Sequence, residues 1–132
     1  MTLKKMTPVL FTEEVEPCVK FWVERAGFEK TVEVPDGNKL GFVTLKKGDI
    51  ELMYQSFASG AKDVPGTAAL QRQGVTFLFI EVDNLGEIIQ AMKGAEVVIP
   101  ERTTFYGSRE IGIKDPAGHL VTFAQFGAAA AH

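Results

Sequence analysis

The 132-residue chain is poor in the side chains that usually announce metal or redox chemistry: it has one cysteine, Cys18, and two histidines, His119 and His132. A lone thiol excludes an intramolecular disulfide and offers no paired-cysteine spacing for zinc or redox work. Free cysteine mostly behaves as a small buried hydrophobe, so Cys18 reads as core or helix face, with neither histidine placed beside it by a triad-like motif. Basic residues are few and scattered, 14 against 17 acidic ones for a net charge of -3, which argues against a nucleic-acid or anionic-membrane partner. No segment approaches the roughly 20 apolar residues of a membrane span. The start Met1-Thr2-Leu3-Lys4-Lys5-Met6 is not followed by an apolar run of signal-peptide length, so a cytoplasmic protein is expected.

What is present is an internal repeat. A strand, helix and strand-rich block beginning near Met6 recurs near Val75, and each copy ends in a glycine-bearing hairpin tip, Lys46-Lys47-Gly48-Asp49 or Asp115-Pro116-Ala117-Gly118. With 45% hydrophobic and 23% charged residues, the chain has the composition and size of one globular domain. Each copy of about 55 residues would be marginal alone, so the two are expected to share one domain. The expected organisation is a repeat unit over 5–55, a linker over 56–74, a second repeat unit over 75–126, and a frayed tail over 127–132.

Along the first copy, a strand near Met6 to Phe11 leads into Glu13, Glu14, Glu16 and Pro17, which suit a helix N-terminus. Val15, Cys18, Val19, Phe21, Trp22 and Val23 form a broad apolar face that stops at Gly27. Strands follow near Glu29 to Val34, Lys39 to Leu45 and Ile50 to Gln55, separated by turn signals. The Ala-, Gly- and Ser-rich stretch from Ser56 to Gly74 lacks clear periodicity and reads as a linker with a short helical turn at Ala68 to Arg72. The second copy gives a strand from Val75 to Val82, a helix from Asn84 to Lys93, and strands near Val97 to Ile99, Ser108 to Lys114 and His119 to Phe126.

Phe21-Trp22 followed by Ala26-Gly27-Phe28, then Phe105-Tyr106-Gly107-Ser108-Arg109-Glu110, then Asp115-Pro116-Ala117-Gly118, resemble in order and spacing the vicinal oxygen chelate superfamily. That group holds glyoxalases, bleomycin-resistance proteins, extradiol dioxygenases and fosfomycin-resistance enzymes. The resemblance implies an α+β fold in which two βαβββ units form curled mixed sheets around a cavity, and assembly as a homodimer. It also implies, for the enzymes, a divalent metal held by His and Glu from the first and last strands of each half. The matching positions here are Thr7, Glu51, Phe77 and Thr122, and a one-residue shift brings only Pro8, Thr76, Leu78, Val121 or Phe123. One carboxylate without a positioned imidazole does not supply a catalytic zinc set, so no metal and no cofactor are expected. His119, directly after the Asp-Pro-Ala-Gly turn, is expected to face solvent rather than ligate.

Strand alternation puts Glu51 on one face with Met53 and Gln55, and Phe77 with Phe79 and Glu81. If desolvated, Glu51 would have a raised pKa suited to general-base work; paired with a nearby Lys or Arg, it would not. Tyr106 and Arg109 stand at the implied cavity mouth, Arg109 either orienting an anionic or carbonyl group or forming a salt bridge to Glu110 or a neighbouring strand. The ligand-binding set is therefore Glu51, Met53, Phe77, Phe79, Tyr106 and Arg109, with Glu51 and Tyr106 as the catalytic pair if there is catalysis. The leading expectation is metal-independent binding of a small organic molecule, an antibiotic or toxic metabolite, in the sheet cavity. The alternatives are a metal-dependent or acid-base lyase, isomerase or dioxygenase using Glu51, and a non-catalytic dimeric interaction module.

Overall fold

The computed structural model describes residues 1–127, and the expected tail beyond Gly127 lies outside the described residues. The chain forms two compact units, Met1–Gly74 and the part from Val75 onward. In the first, β1 (Val9–Thr12) is followed by helix α1 (Glu16–Lys20), which widens into a π-helical segment over Phe21–Arg25, and then by β2 (Glu29–Asp36), β3 (Lys39–Lys47) and β4 (Ile50–Ser56). The sheet order is β1-β4-β3-β2, with β1 parallel to β4 and the other pairs antiparallel. The second unit repeats this: β5 (Phe77–Glu81), α4 (Leu85–Ala91), β6 (Glu96–Thr103), β7 (Ser108–Lys114) and β8 (Leu120–Phe126) in the order β5-β8-β7-β6, with β5 parallel to β8. The repeat seen in the sequence is therefore a repeat of topology, and the α+β fold of two four-stranded mixed sheets is observed.

The first unit's core forms where α1 meets its sheet. Leu52 and Tyr54 on β4, Val43 and Leu45 on β3, and Leu10 on β1 are buried, as are Val15, Cys18, Phe21 and Trp22 from the helix. The Trp22 indole N–H donates to the Tyr54 hydroxyl at 2.8 Å, so the largest buried ring enters the core with its polar atom satisfied. Val23 is partly exposed, because the π-helical turn after Lys20 rotates it out of the apolar stripe. Gly27, at φ +72°, closes the segment in the left-handed conformation that its sequence position called for.

Two expected boundaries are corrected. The stretch from Ser56 to Gly74 is largely helical, with α2 (Phe57–Asp63), a 3-10 turn at Pro65–Thr67, and α3 (Ala68–Gln71). Its signals are local: the Ser56 hydroxyl caps α2 by accepting from the Ser59 N–H, and Gln71 Nε2 ties α3 back to the Gly60 carbonyl and the Thr67 hydroxyl. β6 also runs through Pro100 to Thr103, well past Ile99. It is an edge strand, and register shifts between Val97 and Arg102 accommodate the residue that has no N–H to give.

Close packing in the second unit is set by Gly112 on β7, opposite Ile99 on β6. A Cβ there would lie 2.8 Å from Ile99 Cβ and Cγ1, whereas one on Gly66 would meet nothing within 4 Å. Gly112→Ala is expected to destabilise the protein by about 1–3 kcal/mol through overpacking. Gly66→Ala should leave stability within about 0.5 kcal/mol. Urea denaturation of both variants checks the contrast, and equal midpoints would refute the Gly112–Ile99 contact.

Candidate functional site

Each sheet has a helix side and an opposite side. In the second unit Gln125 Oε1 accepts from the Leu85 N–H at the start of α4 at 2.8 Å, which identifies the helix side as the one carrying Gln125, Phe123 and Val121. Strand alternation and cross-strand register then put Phe77, Phe79 and Glu81 of β5 on the other side, together with Thr122, Ala124 and Phe126 of β8 and Ser108, Glu110 and Gly112 of β7. Arg102 of β6 is paired with Glu110 and joins them.

This face carries exposed aromatic rings around a buried centre formed by Ser108, Glu110, Thr122 and Ala124. Phe77 is 73% exposed, Phe79 55%, Tyr106 44% and Phe126 37%. Phe79 and Phe126 lie 6.3 Å apart between ring centroids, Phe126 and Tyr106 also 6.3 Å, and Tyr106 and Phe105 5.1 Å. A contiguous row of exposed rings on a sheet face costs solvation and ordinarily marks an interaction surface.

Beside the rings stands a buried carboxylate. Glu110, 1% exposed, accepts from the Tyr106 hydroxyl and from Ser108 Oγ at 2.8 Å on one oxygen, and from Arg102 Nη2 at 3.1 Å on the other. Ser108 Oγ is itself 2.8 Å from the Thr104 hydroxyl, so the β6–β7 connection is stitched to the same group. Burial, the largest single influence, pushes the Glu110 pKa up. The hydrogen bonds from Tyr106, Ser108 and Arg102, with the guanidinium charge, outweigh it and hold the carboxyl below the usual glutamate range.

In the first unit, Glu51 and Met53 lie with Gln55 on the side of β4 opposite Leu52 and Tyr54, as alternation requires. Glu51 Oε1 accepts from Lys5 Nζ at 2.8 Å and from the Thr7 hydroxyl at 2.9 Å. These contacts, Lys5 first, hold its pKa below the usual value, opposite to the rise that desolvation alone would bring. The same unit has a cleft of about 520 Å³, lined in part by Phe42, Gln55, Asp36 and Lys62.

Arg109 is not brought to the ring face. Adjacent residues of a strand point to opposite sides, so Arg109 shares the helix side with Gln125, and it pairs with Glu101 rather than with Glu110. The partner of Glu110 is Arg102, which the sequence reading did not single out; period-two counting across Arg109-Glu110 would have separated the two. His119 is also corrected. It is buried, with Nδ1 accepting from the Thr76 N–H at 2.9 Å, so the imidazole supports the start of β5 instead of facing solvent.

At the resemblance's metal positions stand a hydroxyl (Thr7), a carboxylate already engaged by Lys5 (Glu51), a phenyl ring (Phe77) and a second hydroxyl (Thr122). That donor set does not fit a catalytic transition metal. Among the described residues, no group of three or more His, Cys, Asp or Glu side chains is placed to share a cation. Nor is any helix among them long and apolar enough to cross a membrane.

A family model described as the Glyoxalase/Bleomycin resistance protein/Dioxygenase superfamily matches residues 6–123. No curated protein sequence matches the chain. Among solved structures, TioX from Micromonospora sp. ML1 is similar at a TM-score of 0.74 and 20% identity, over 93% of this chain and 98% of that one. A lactoylglutathione lyase from Agrobacterium tumefaciens reaches 0.73 at 17% identity, over 92% of each chain. A glyoxalase/bleomycin resistance protein/dioxygenase from Nocardioides reaches 0.72 at 15% identity, over 96% of this chain and 85% of that one. At these identities the likeness is one of fold.

The Glu110 network has a pH signature. Because its folded pKa is lowered, the unfolded chain binds more protons in the acid range. The stability it contributes is complete above the ordinary glutamate pKa of about 4.3 and is lost as pH falls through the folded value. Glu110→Gln is expected to be less stable than wild type by about 1–3 kcal/mol at neutral pH. That gap should narrow on acidification, as read by urea denaturation across a pH series; a constant gap would refute the ionised, hydrogen-bonded carboxylate.

Proposed function

The chain belongs to the glyoxalase/bleomycin resistance protein/dioxygenase superfamily, and from that premise we propose that it binds a small planar organic molecule, of the antibiotic or toxic-metabolite kind, without a metal. The observation that carries this reading is the row of exposed rings from Phe79 through Phe126 to Tyr106 on the open side of the second sheet. Aromatic side chains supply large contact area at small entropic cost and favour flat ligands in offset or edge-on contact. The donor chemistry at Thr7, Phe77 and Thr122 supports a metal-free mode.

Acid-base catalysis by Glu51 is not favoured. A general base works best with a pKa near the operating pH, and the Lys5 and Thr7 contacts move this carboxyl the other way. Tyr106 donates its hydroxyl proton to Glu110, which suits holding a ring in place more than delivering a proton to a substrate.

The test is isothermal titration with naphthamide, a neutral flat probe, against wild type and Phe79→Ala. Wild type is expected to bind it, and removing the half-exposed ring should weaken binding about fivefold to tenfold, the equivalent of roughly 1–1.4 kcal/mol. Absence of binding to wild type, or equal binding by the variant, would sink the proposal.

A further inference from the structure

We infer that Arg102 is the anchor for an anionic group, so that the ligands taken by the ring face are aromatic carboxylates or comparable planar organic anions. This rests on the binding reading above and adds to it the charge of the ligand and the residue that reads it.

The inference begins with how the Glu110 carboxyl is shared. One oxygen accepts from Tyr106 and Ser108, the other from Arg102 Nη2. A guanidinium and a phenol bound to the two oxygens of one carboxyl group are close neighbours, so a ring lying against Tyr106 and Phe126 has its edge beside Arg102. Glu110 itself is buried and already accepts from three donors, one of them a guanidinium that balances its charge, so it is not available as a counter-ion for a cationic ligand. Arg102 is in the opposite condition: its side chain is 53% exposed, and among the described residues its polar partner is Glu110, engaged through one nitrogen. The guanidinium's planar fork of N–H donors matches a carboxylate two bonds at a time, and a guanidinium engaged through one nitrogen keeps donors for a second carboxylate.

The acidic groups of the face fix the direction in which such a ligand lies. Register sets Glu81, Ala124, Glu110 and Arg102 in one row across the sheet, from edge strand β5 to edge strand β6. Glu81 is exposed at the β5 end, beside Phe79, and repels an anionic group there. The ligand's anionic end therefore lies toward β6 and its neutral ring toward Phe79.

The experiment is a matched titration of naphthoate and naphthamide, which share a ring system and differ in charge, into wild type, Arg102→Gln, Arg102→Lys and Arg109→Gln. Wild type should bind naphthoate about tenfold more tightly than naphthamide at low salt, a preference that shrinks as salt is raised. Arg102→Gln should abolish that preference while retaining naphthamide binding. Arg102→Lys, which keeps the charge beside Glu110 and loses the fork, should keep part of it and guards against a folding defect in the glutamine variant. Equal binding of the two probes to wild type would overturn the anion assignment and leave the binding reading standing. Failure of both probes to bind would overturn the binding reading itself. A preference lost in Arg109→Gln but kept in Arg102→Gln would return the role to the helix-side arginine and overturn the inference.

Discussion

The period-two alternation of side chains along a strand decides nearly everything about this molecule. Each four-stranded sheet has one side committed to its own helix. Leu10, Val43, Leu45, Leu52 and Tyr54 meet Trp22 and Cys18 in the first unit, and Ile111, Ile113, Val121 and Phe123 share the side of α4 in the second. Because those positions are fixed by burial, the intervening residues have no choice of side. Glu51 and Met53, Phe77 and Phe79, and Glu110 and Phe126 are all placed by the demand that their neighbours be buried. On β4, whose burial alternates residue by residue, a shift of one would exchange core for surface, which specifies the register strongly.

The two carboxylates that lie on these open sides illustrate how environment separates residues of one type. Glu51 is held by Lys5 and Thr7, both from the segment preceding β1, and keeps 13% exposure of its side chain. Glu110 is buried on a central strand of its sheet, with donors from β6, β7 and the connection between them. Both have lowered pKa values, but for Glu110 the hydrogen bonds must overcome a desolvation effect larger than any one of them. A buried charge of this kind is weak evidence of net stabilisation, whereas removal of one of its partners is costly, so the network acts chiefly to fix geometry. What it fixes is the ring of Tyr106 and the guanidinium of Arg102.

Much of the fold was legible in the sequence. Gly27 and Gly118 mark real chain reversals, and Asp115 in Asp-Pro-Ala-Gly makes the turn bonds that its type suggests, accepting from the Ala117 and His119 N–H groups at 3.1 and 2.7 Å. The helical content of the segment after β4 was not legible, since it lacks an apolar periodicity and its helices are joined instead by polar contacts within the segment, the Ser56 cap and the reach of Gln71 back to Gly60. His119 was misread because polarity next to a turn suggests solvent, but the Thr76 N–H at the start of β5 needed an acceptor.

On the candidate face the aromatic residues could be placed from the sequence, and the partner of Glu110 could not. Phe77, Phe79 and Tyr106 could be placed by alternation and motif because large rings on one side of a strand carry a signal that one sequence contains. Arg102 could not, because its partner is set by the pairing of β6 with β7 across two register shifts, one between Val97 and Ile99 and one between Ile99 and Arg102, and no count along the chain anticipates where a bulge falls. For Arg109 the sequence left open a salt bridge to Glu110 or to a neighbouring strand, and the partner is Glu101 on the neighbouring β6, since adjacency along a strand keeps Arg109 and Glu110 apart. Charged residues therefore have to be assigned through cross-strand pairs. On that basis the second sheet resolves into a helix side carrying Arg109 with Gln125 and an open side carrying Arg102 with Glu110, Phe126 and Phe79.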